Sequence, residues 1–370
     1  MQHTVGQTAQ HRQGALVPAW TRAVDALIDR AASQARVIGI CTPRDAPSAV
    51  RQLTATIIAG EPAAPTLTYD TPKGVDLRPM VERAAEACDG EGALGRCYAE
   101  RLRELSLEIA LCERAGEVGF AARAAQRFAR RDEHDDEADR VCDGWLDAPL
   151  SDLDGGPTVV SDDASDPRSL IRRLSEEVGA RRLPVRVTVA RRLASLAATG
   201  PSVIYVAQGK AMTVQDVERT TLHEIEGHAM PRWRADKATL GLLSRGTARG
   251  SDEQEGRALC IEEREGFLIG ARRRELARRH VAGRSVREGA DLIETVRRLL
   301  GVGAEPEDAA RIALRAHRGG GLARELVYVP AWLRVRAAVA RDPSLESVLA
   351  SGQISVAAAE TLRPFVPDVS

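Results

Sequence analysis

The apolar and polar positions along the chain repeat mostly with helical spacing. Val24, Leu27, Ile28 and Ala31 predict an amphipathic helix over 18–37. Residues 61–75, EPAAPTLTYDTPKGV, are rich in Pro and turn formers and are expected to be extended. Two or more helices follow in 77–130, the longest near 95–116, and another in 169–181. Two short segments break this pattern. PVRVTVA (184–190) and SVIYVAQ (202–208) alternate or run apolar with β-branched residues, which predicts strands. A helix is then expected over 213–230, with Thr213 as N-cap, Asp216 at its positive end and Pro231 stopping it. Further helices are expected over 251–279, 285–300 and 305–317. A Gly-rich turn should lead into a strand or extended segment at ELVYV (325–329), before helices at 331–341 and near 355–362. Residues 131–168 carry many carboxylates, with Gly and Pro and little periodicity, and are expected to form an acidic loop. The whole reads as an α+β fold, mostly helical, with a small sheet beside the 213–230 helix. Residues 1–70 are expected to pack as an N-terminal helical segment on one domain spanning 71–370.

Composition narrows the function classes. At 370 residues, with 44% hydrophobic and 28% charged, the chain can bury a sizeable core. Its 52 basic and 53 acidic residues give a net charge of -1, without the basic excess of a nucleic-acid binder. The Arg clusters at 271–279 and 311–324 read as solvated helix faces. Likewise His3, His11, His134 and His280 lie in polar stretches and read as solvated. None of the six cysteines forms a CxxC pair, so they read as small buried thiols in a reducing compartment. The first 20 residues lack an apolar leader core, and no apolar run is long enough to span a membrane, so a cytoplasmic protein is expected.

The chemistry concentrates in Thr221-Leu222-His223-Glu224-Ile225-Glu226-Gly227-His228. This is close to HExxH, the helix on which two histidines four apart share a metal, but it has one residue too many. Residues four apart differ by about 40° around a helix axis, whereas residues five apart differ by about 140°. His223 and His228 can therefore share an ion only if the helix widens locally, as a π-bulge would allow. Gly227, inside the insertion, would ease such a bulge. The alternative is two ordinary histidines on a buried helix. Downstream, Asp252-Glu253-Gln254-Glu255-Gly256-Arg257-Ala258 opens another helical pattern and places Glu255 27 residues after His228. A catalytic zinc site needs such a third ligand from a second helix, leaving one position open. Glu253 is the rival for that place. A di-iron E-x-x-H pattern fails, because Ile225 stands three before His228.

HExxxH followed by this QEG segment resembles the bacterial QEGLA-motif family, described as flavohemoglobin expression-modulating and related to the microtubule-tyrosine carboxypeptidases of animals. Further similarities run through Tyr69, Arg318-Gly319, Arg324-Glu325, Tyr328 and Gly352-Gln353-Ile354, so the resemblance extends from about 20 to 365. It implies a zincin-like metallopeptidase. Zn2+ would be held by His223, His228 and Glu255, with Glu224 as general base. Tyr328, His317 or Arg318 would stabilise the oxyanion, and Arg318 and Arg324 would grip a substrate carboxylate. A carboxypeptidase-like enzyme acting on a peptide or protein tail is the expected function. The alternatives are a zinc endopeptidase maturing a peptide precursor and a non-catalytic regulatory protein that keeps its zinc. Departures from the family pattern fall at Arg257 (usually Leu), Arg234-Ala235-Asp236, His317 and the Arg324-Glu325 pair, around the expected substrate pocket. Neither nucleic acid nor membrane is an expected partner, and the sequence leaves the oligomeric state open.

Overall fold

The structure is a computed structural model, and it describes residues 16–70, 75–131, 133–149, 156–191, 193 and 195–367. His3 and His11 lie outside those residues. The N-terminal part is helical: α1 (Thr21–Gln34), α2 (Val37–Cys41), α3 (Ala46–Ile58), α4 (Arg78–Asp89), α5 (Gly92–Glu113), α6 (Phe120–Phe128) and α7 (Asp135–Asp147). In α1, Ile28 and Ala31 are fully buried among Leu102, Val335 and Ala359, as their spacing requires. Residues 61–70 carry no regular element.

A small β region follows. β1 (Thr158–Val160) precedes α8 (Leu170–Ala180), β2 (Arg186–Ala190), β3 (Ala197–Thr199), β4 (Val203–Ala207) and β5 (Ala211–Thr213). β4 is central, parallel to β2 with Thr188 opposite Tyr205, and antiparallel to β3 with Thr199 opposite Ile204. β1 and β5 pair antiparallel as a separate ribbon. Ile204 and Val206 of β4 are fully buried with Leu170, Leu174, Val217 and Ile225, so the sheet packs on α8 and on the helical run that starts at 214. That run is α9 (Val214–Leu222), a π-helix (His223–Ala229) and α10 (Met230–Ala235). Thr213 caps it, accepting from the Asp216 N–H at 3.0 Å. The remaining elements are helical: α11 (Leu242–Arg245), α12 (Gly250–Arg264), α13 (Gly270–Arg287), α14 (Leu292–Gly301), α15 (Pro306–Ala316), α16 (Tyr328–Arg341), α17 (Leu345–Leu349) and α18 (Val356–Leu362).

Four expectations are corrected. The acidic stretch is not all loop, because 135–147 is the helix α7. Asp135, Asp136 and Glu137 fill its first turn, where carboxylates favour a helix, and Ala138 and Cys142 bury one face. ELVYV is not a strand. Residues 324–327 form a 3-10 turn that runs straight into α16 at Tyr328, and both faces of the segment are buried. A short apolar run without polar alternation cannot separate a buried strand from a buried helix. Pro231 does not stop the metal-motif helix. It sits at the junction between the π-helix and α10, a first-turn position that tolerates a missing N–H. Finally, the Arg clusters and His280 are not simply solvated. Arg279 and Arg318 are each 5% exposed and His280 is fully buried, with its Nε2 at 2.7 Å from Asp139 Oδ1.

Candidate metal centre and its surroundings

His223 and His228 meet because the turn between them is widened. The segment His223–Ala229 is π-helical, and the Met230 N–H donates to the carbonyl of Ile225, five residues back. His223 Nε2 and His228 Nε2 lie 3.2 Å apart. Two nitrogens bound at about 2.0–2.1 Å to one tetrahedral ion would be about 3.3 Å apart. Glu255 Oε2, from the second turn of α12, lies 3.5 Å from the first nitrogen and 3.8 Å from the second. The three ligand atoms all lie within 4.8 Å of one another, a group able to hold a metal ion. Glu253 does not join them. Its carboxylate accepts from Arg334 at 2.9 Å and from the Val356 N–H at 2.5 Å.

Close packing holds this arrangement. A Cβ added at Gly227 would lie 2.7 Å from the Ala258 Cβ on α12. One added at Gly256 would run into the main chain of Ala331 on α16. Glycine at both positions lets the π-helix, α12 and α16 approach closely. Arg257, unusual for the family pattern, has a definite task. A π-helical Glu226 carbonyl would accept from residue 231, but Pro231 has no N–H. Arg257 Nη1 donates to that carbonyl instead at 2.9 Å, and its Nε is anchored on Glu346 at 3.0 Å.

The other nitrogen of each histidine is engaged too. His223 Nδ1 lies 2.7 Å from Glu262 Oε1, and His228 Nδ1 lies 3.0 Å from Gln254 Oε1. With both Nδ1 atoms donating, both Nε2 lone pairs are free for a metal. Glu262 is fully buried and is held from its far side by Arg272, at 2.8 and 3.0 Å. Burial alone would raise the Glu262 carboxyl, but Arg272 and His223 outweigh it and bring it down to about 2. Burial would also lower His223, yet Glu255 and Glu262 outweigh it and raise the metal-free imidazole to about 10. Burial opposes the Glu255 charge in the same way, and His223, His228 and Arg324 overcome it, holding the carboxyl well below its usual range. The donor set, His2Glu with both outer nitrogens satisfied, fits zinc.

Glu224 is 6% exposed, and its Oε2 accepts from Thr199 Oγ1, on the edge strand β3, at 2.7 Å. Arg324 reaches the site differently from the expectation. Its Nη2 approaches Glu255 Oε1 at 3.4 Å and its Nη1 donates to the Tyr328 hydroxyl at 3.0 Å. The Arg279 guanidinium lies over the Tyr328 ring, 3.8 Å from its centroid. Arg324 therefore braces a candidate metal ligand. Arg318 is the contrasting case. It is 5% exposed, yet its guanidinium makes no hydrogen bond or ion pair among the described residues. Burial pushes it down to about 10, still charged at neutral pH. Nearby Glu325 is already paired with Arg279 at 2.5 Å and Arg315 at 3.2 Å. His317 stands apart from the histidines. It bonds Thr295 Oγ1 at 2.8 Å and lines a cleft of about 510 Å³ with Tyr69, Pro65 and Gly321. Since Thr295 Oγ1 also donates to the Asp291 carbonyl, it must accept from His317 Nε2–H, which leaves that N–H committed.

The sequence did not point to Thr199, Gln254 or Glu262. Glu262 carries a signal in hindsight, because it follows Glu255 by seven residues and so shares its helix face. Gln254 neighbours the ligand. Thr199 has no local signal, since only sheet pairing brings β3 to the metal helix.

No curated protein and no solved structure matches the chain. The family model described as MATCAP, microtubule-associated tyrosine carboxypeptidase, matches residues 58–368, a span that contains every residue of the candidate centre. The chain thus belongs to the microtubule-associated tyrosine carboxypeptidase family.

Proposed function

We propose that this protein is a zinc-dependent carboxypeptidase that removes a residue from the free C-terminus of a peptide or protein, on a zincin-like scaffold. The convergence of His223 Nε2, His228 Nε2 and Glu255 Oε2, with the Glu224 carboxylate on the same widened helix, carries this reading. A zinc ion held by these three residues would polarise the scissile carbonyl and acidify a water. Glu224, steadied by Thr199, takes the proton of the attacking water and delivers it to the leaving amine. Tyr328 is the oxyanion donor of choice. Arg324 donates to its oxygen, so the phenol proton is free to point at the developing negative charge. His317 is a poorer donor, because its N–H already serves Thr295.

Arg318 supplies the exopeptidase character. A buried guanidinium with no direct ion pair among the described residues is costly, and a substrate carboxylate would satisfy it through two parallel hydrogen bonds. Arg324 is a weaker candidate for that task, being already engaged with Glu255 and Tyr328. The family's name attaches tyrosine to its reaction, so a C-terminal Tyr is the first side chain to test. The test compares matched peptides with free and amidated C-termini. The wild type should release the terminal residue only from the free acid, and Arg318→Gln should raise KM for that peptide by about 10-fold or more, the scale of a charged hydrogen bond. Equal cleavage of both peptides, at internal bonds, would instead make the protein an endopeptidase.

A further inference from the structure

We propose that Gln353 is a positioning residue for the metal centre. It fixes the orientation of the Gln254 amide and, through it, the tautomer of His228. The inference rests on the zinc reading above and concerns Gln353, to which that reading gives no role.

A neutral imidazole has one N–H and one lone pair. If Nε2 of His228 gives its lone pair to a metal, its Nδ1 must carry the proton and needs an acceptor. At His223 the acceptor is the Glu262 carboxylate, which when ionised can only accept. At His228 it is a glutamine amide, which can present either its oxygen or its NH2. Turned over, Gln254 would donate to Nδ1, drive the proton to Nε2 and block that ligand. Something must break the tie between the two orientations.

Gln353 does so. Its Nε2 donates to Gln254 Oε1 at 3.2 Å, the same oxygen that faces His228 Nδ1 at 3.0 Å. Turning Gln254 over would set its NH2 against the NH2 of Gln353 and, with a metal on Nε2, against the His228 Nδ1–H. Gln254 is 5% exposed, and its Nε2 is buried without a partner among the described residues, so the amide gives up one of its own hydrogen bonds to keep this orientation. Gln353 is itself held by its main chain. Its carbonyl accepts from the Thr247 N–H at 2.9 Å, and Ser355 N–H donates to Thr247 Oγ1 at 2.8 Å. The lock thus joins the C-terminal segment to the start of α12 and to a ligand 125 residues earlier in the chain.

The main-chain bonds survive side-chain substitution, so variants at 353 are expected to fold, with thermal unfolding as the check. Zinc affinity of the full chain is measured by competition with a chromogenic chelator. The proteins are the wild type, Gln353→Glu and Gln353→Ala, and the same two changes made alongside Gln254→Glu. Partners that orient metal-bound histidines are typically worth about 10–100-fold in affinity. Gln353→Glu, which can only accept, should weaken zinc binding by about 10-fold or more, and Gln353→Ala by a few-fold. Imidazole nitrogen NMR of the metal-free proteins should show His228 losing the Nδ1–H form in Gln353→Glu. In the Gln254→Glu background the acceptor no longer has two orientations, so Gln353→Ala should have no effect on zinc. Equal losses in both backgrounds, or unchanged affinity and tautomer in Gln353→Glu, would overturn the lock while leaving the metal centre standing. A wild type that binds no zinc would overturn the metal centre itself, and the lock with it.

Discussion

Around His223 the residues form a chain of alternating charge: imidazole, Glu262, Arg272, then Glu275, whose Oε2 lies 2.8 Å from Arg272 Nη1. Replacing Glu262 by Gln keeps the shape but removes the acceptor-only character, and would leave Arg272 short of a counter-charge. Glu262→Gln should weaken zinc binding by about 10–100-fold, read by chelator competition, with a smaller loss in fold stability. His317 gives a prediction on pH. Burial lowers its imidazole from 6.5 to about 4. The unfolded chain therefore takes up this proton first as pH falls, so the stability from neutral His317 is complete above about 6.5 and is lost as pH drops through about 4. His317→Asn should flatten the pH dependence of unfolding in that window by on the order of 2 kcal/mol. An identical slope in both proteins would show that His317 is not buried as neutral imidazole. Single residues were also where the sequence was least legible. The Arg-rich helix faces look solvated in one dimension, but Arg272 finds Glu262 on α12 and Arg279 finds Glu325 just before α16, and only tertiary structure reveals such partners.

Among the elements, the π-helix was the most legible. The extra residue between the histidines required a widened turn, and the three-dimensional fold has one at 223–229. What the spacing could not tell is how the widening is tolerated. Pro231 leaves the Glu226 carbonyl without its N–H, and Arg257 provides the replacement. Arg257→Leu, the change toward the QEGLA pattern that the sequence resembles, should therefore destabilise the protein by about 1–3 kcal/mol, the cost of stranding a buried polar group. Pro231→Ala should recover much of that loss by restoring the N–H. A double variant no more stable than Arg257→Leu alone would contradict this pairing, and denaturant unfolding of the four proteins decides it. Gly227→Ala should cost a similar amount, because its methyl group meets Ala258. The strands and capped helix around the site followed from period and Thr213, since each is written in contiguous residues. α7 and the 324–329 segment were misread for the converse reason. Acidic residues in a first turn look like loop, and an unalternating apolar run fits either structure.

Across the whole molecule, α12 is the spine of the site. It contributes Gln254, Glu255 and Glu262 to the two histidines, packs Gly256 on α16, and is tied by Asp252 to Arg127 of α6 at 2.6 Å. An ion that joins α12 to the metal helix should therefore stabilise the fold. Zinc at about 1,000 times its Kd would add about 4 kcal/mol, so chelation should lower the melting temperature by several degrees. Glu224→Gln, which keeps every candidate ligand, should show the same chelator shift as the wild type. The most direct test of the proposed activity exposes a diverse peptide pool to the wild type and to Glu224→Gln, both loaded with zinc, and identifies the products by mass spectrometry. Loss of single C-terminal residues should occur with the wild type and fall by at least about 100-fold with Glu224→Gln, the scale of general-base catalysis. Identical product profiles from the two proteins, with zinc present in both, would contradict the assignment of this centre as a peptidase active site.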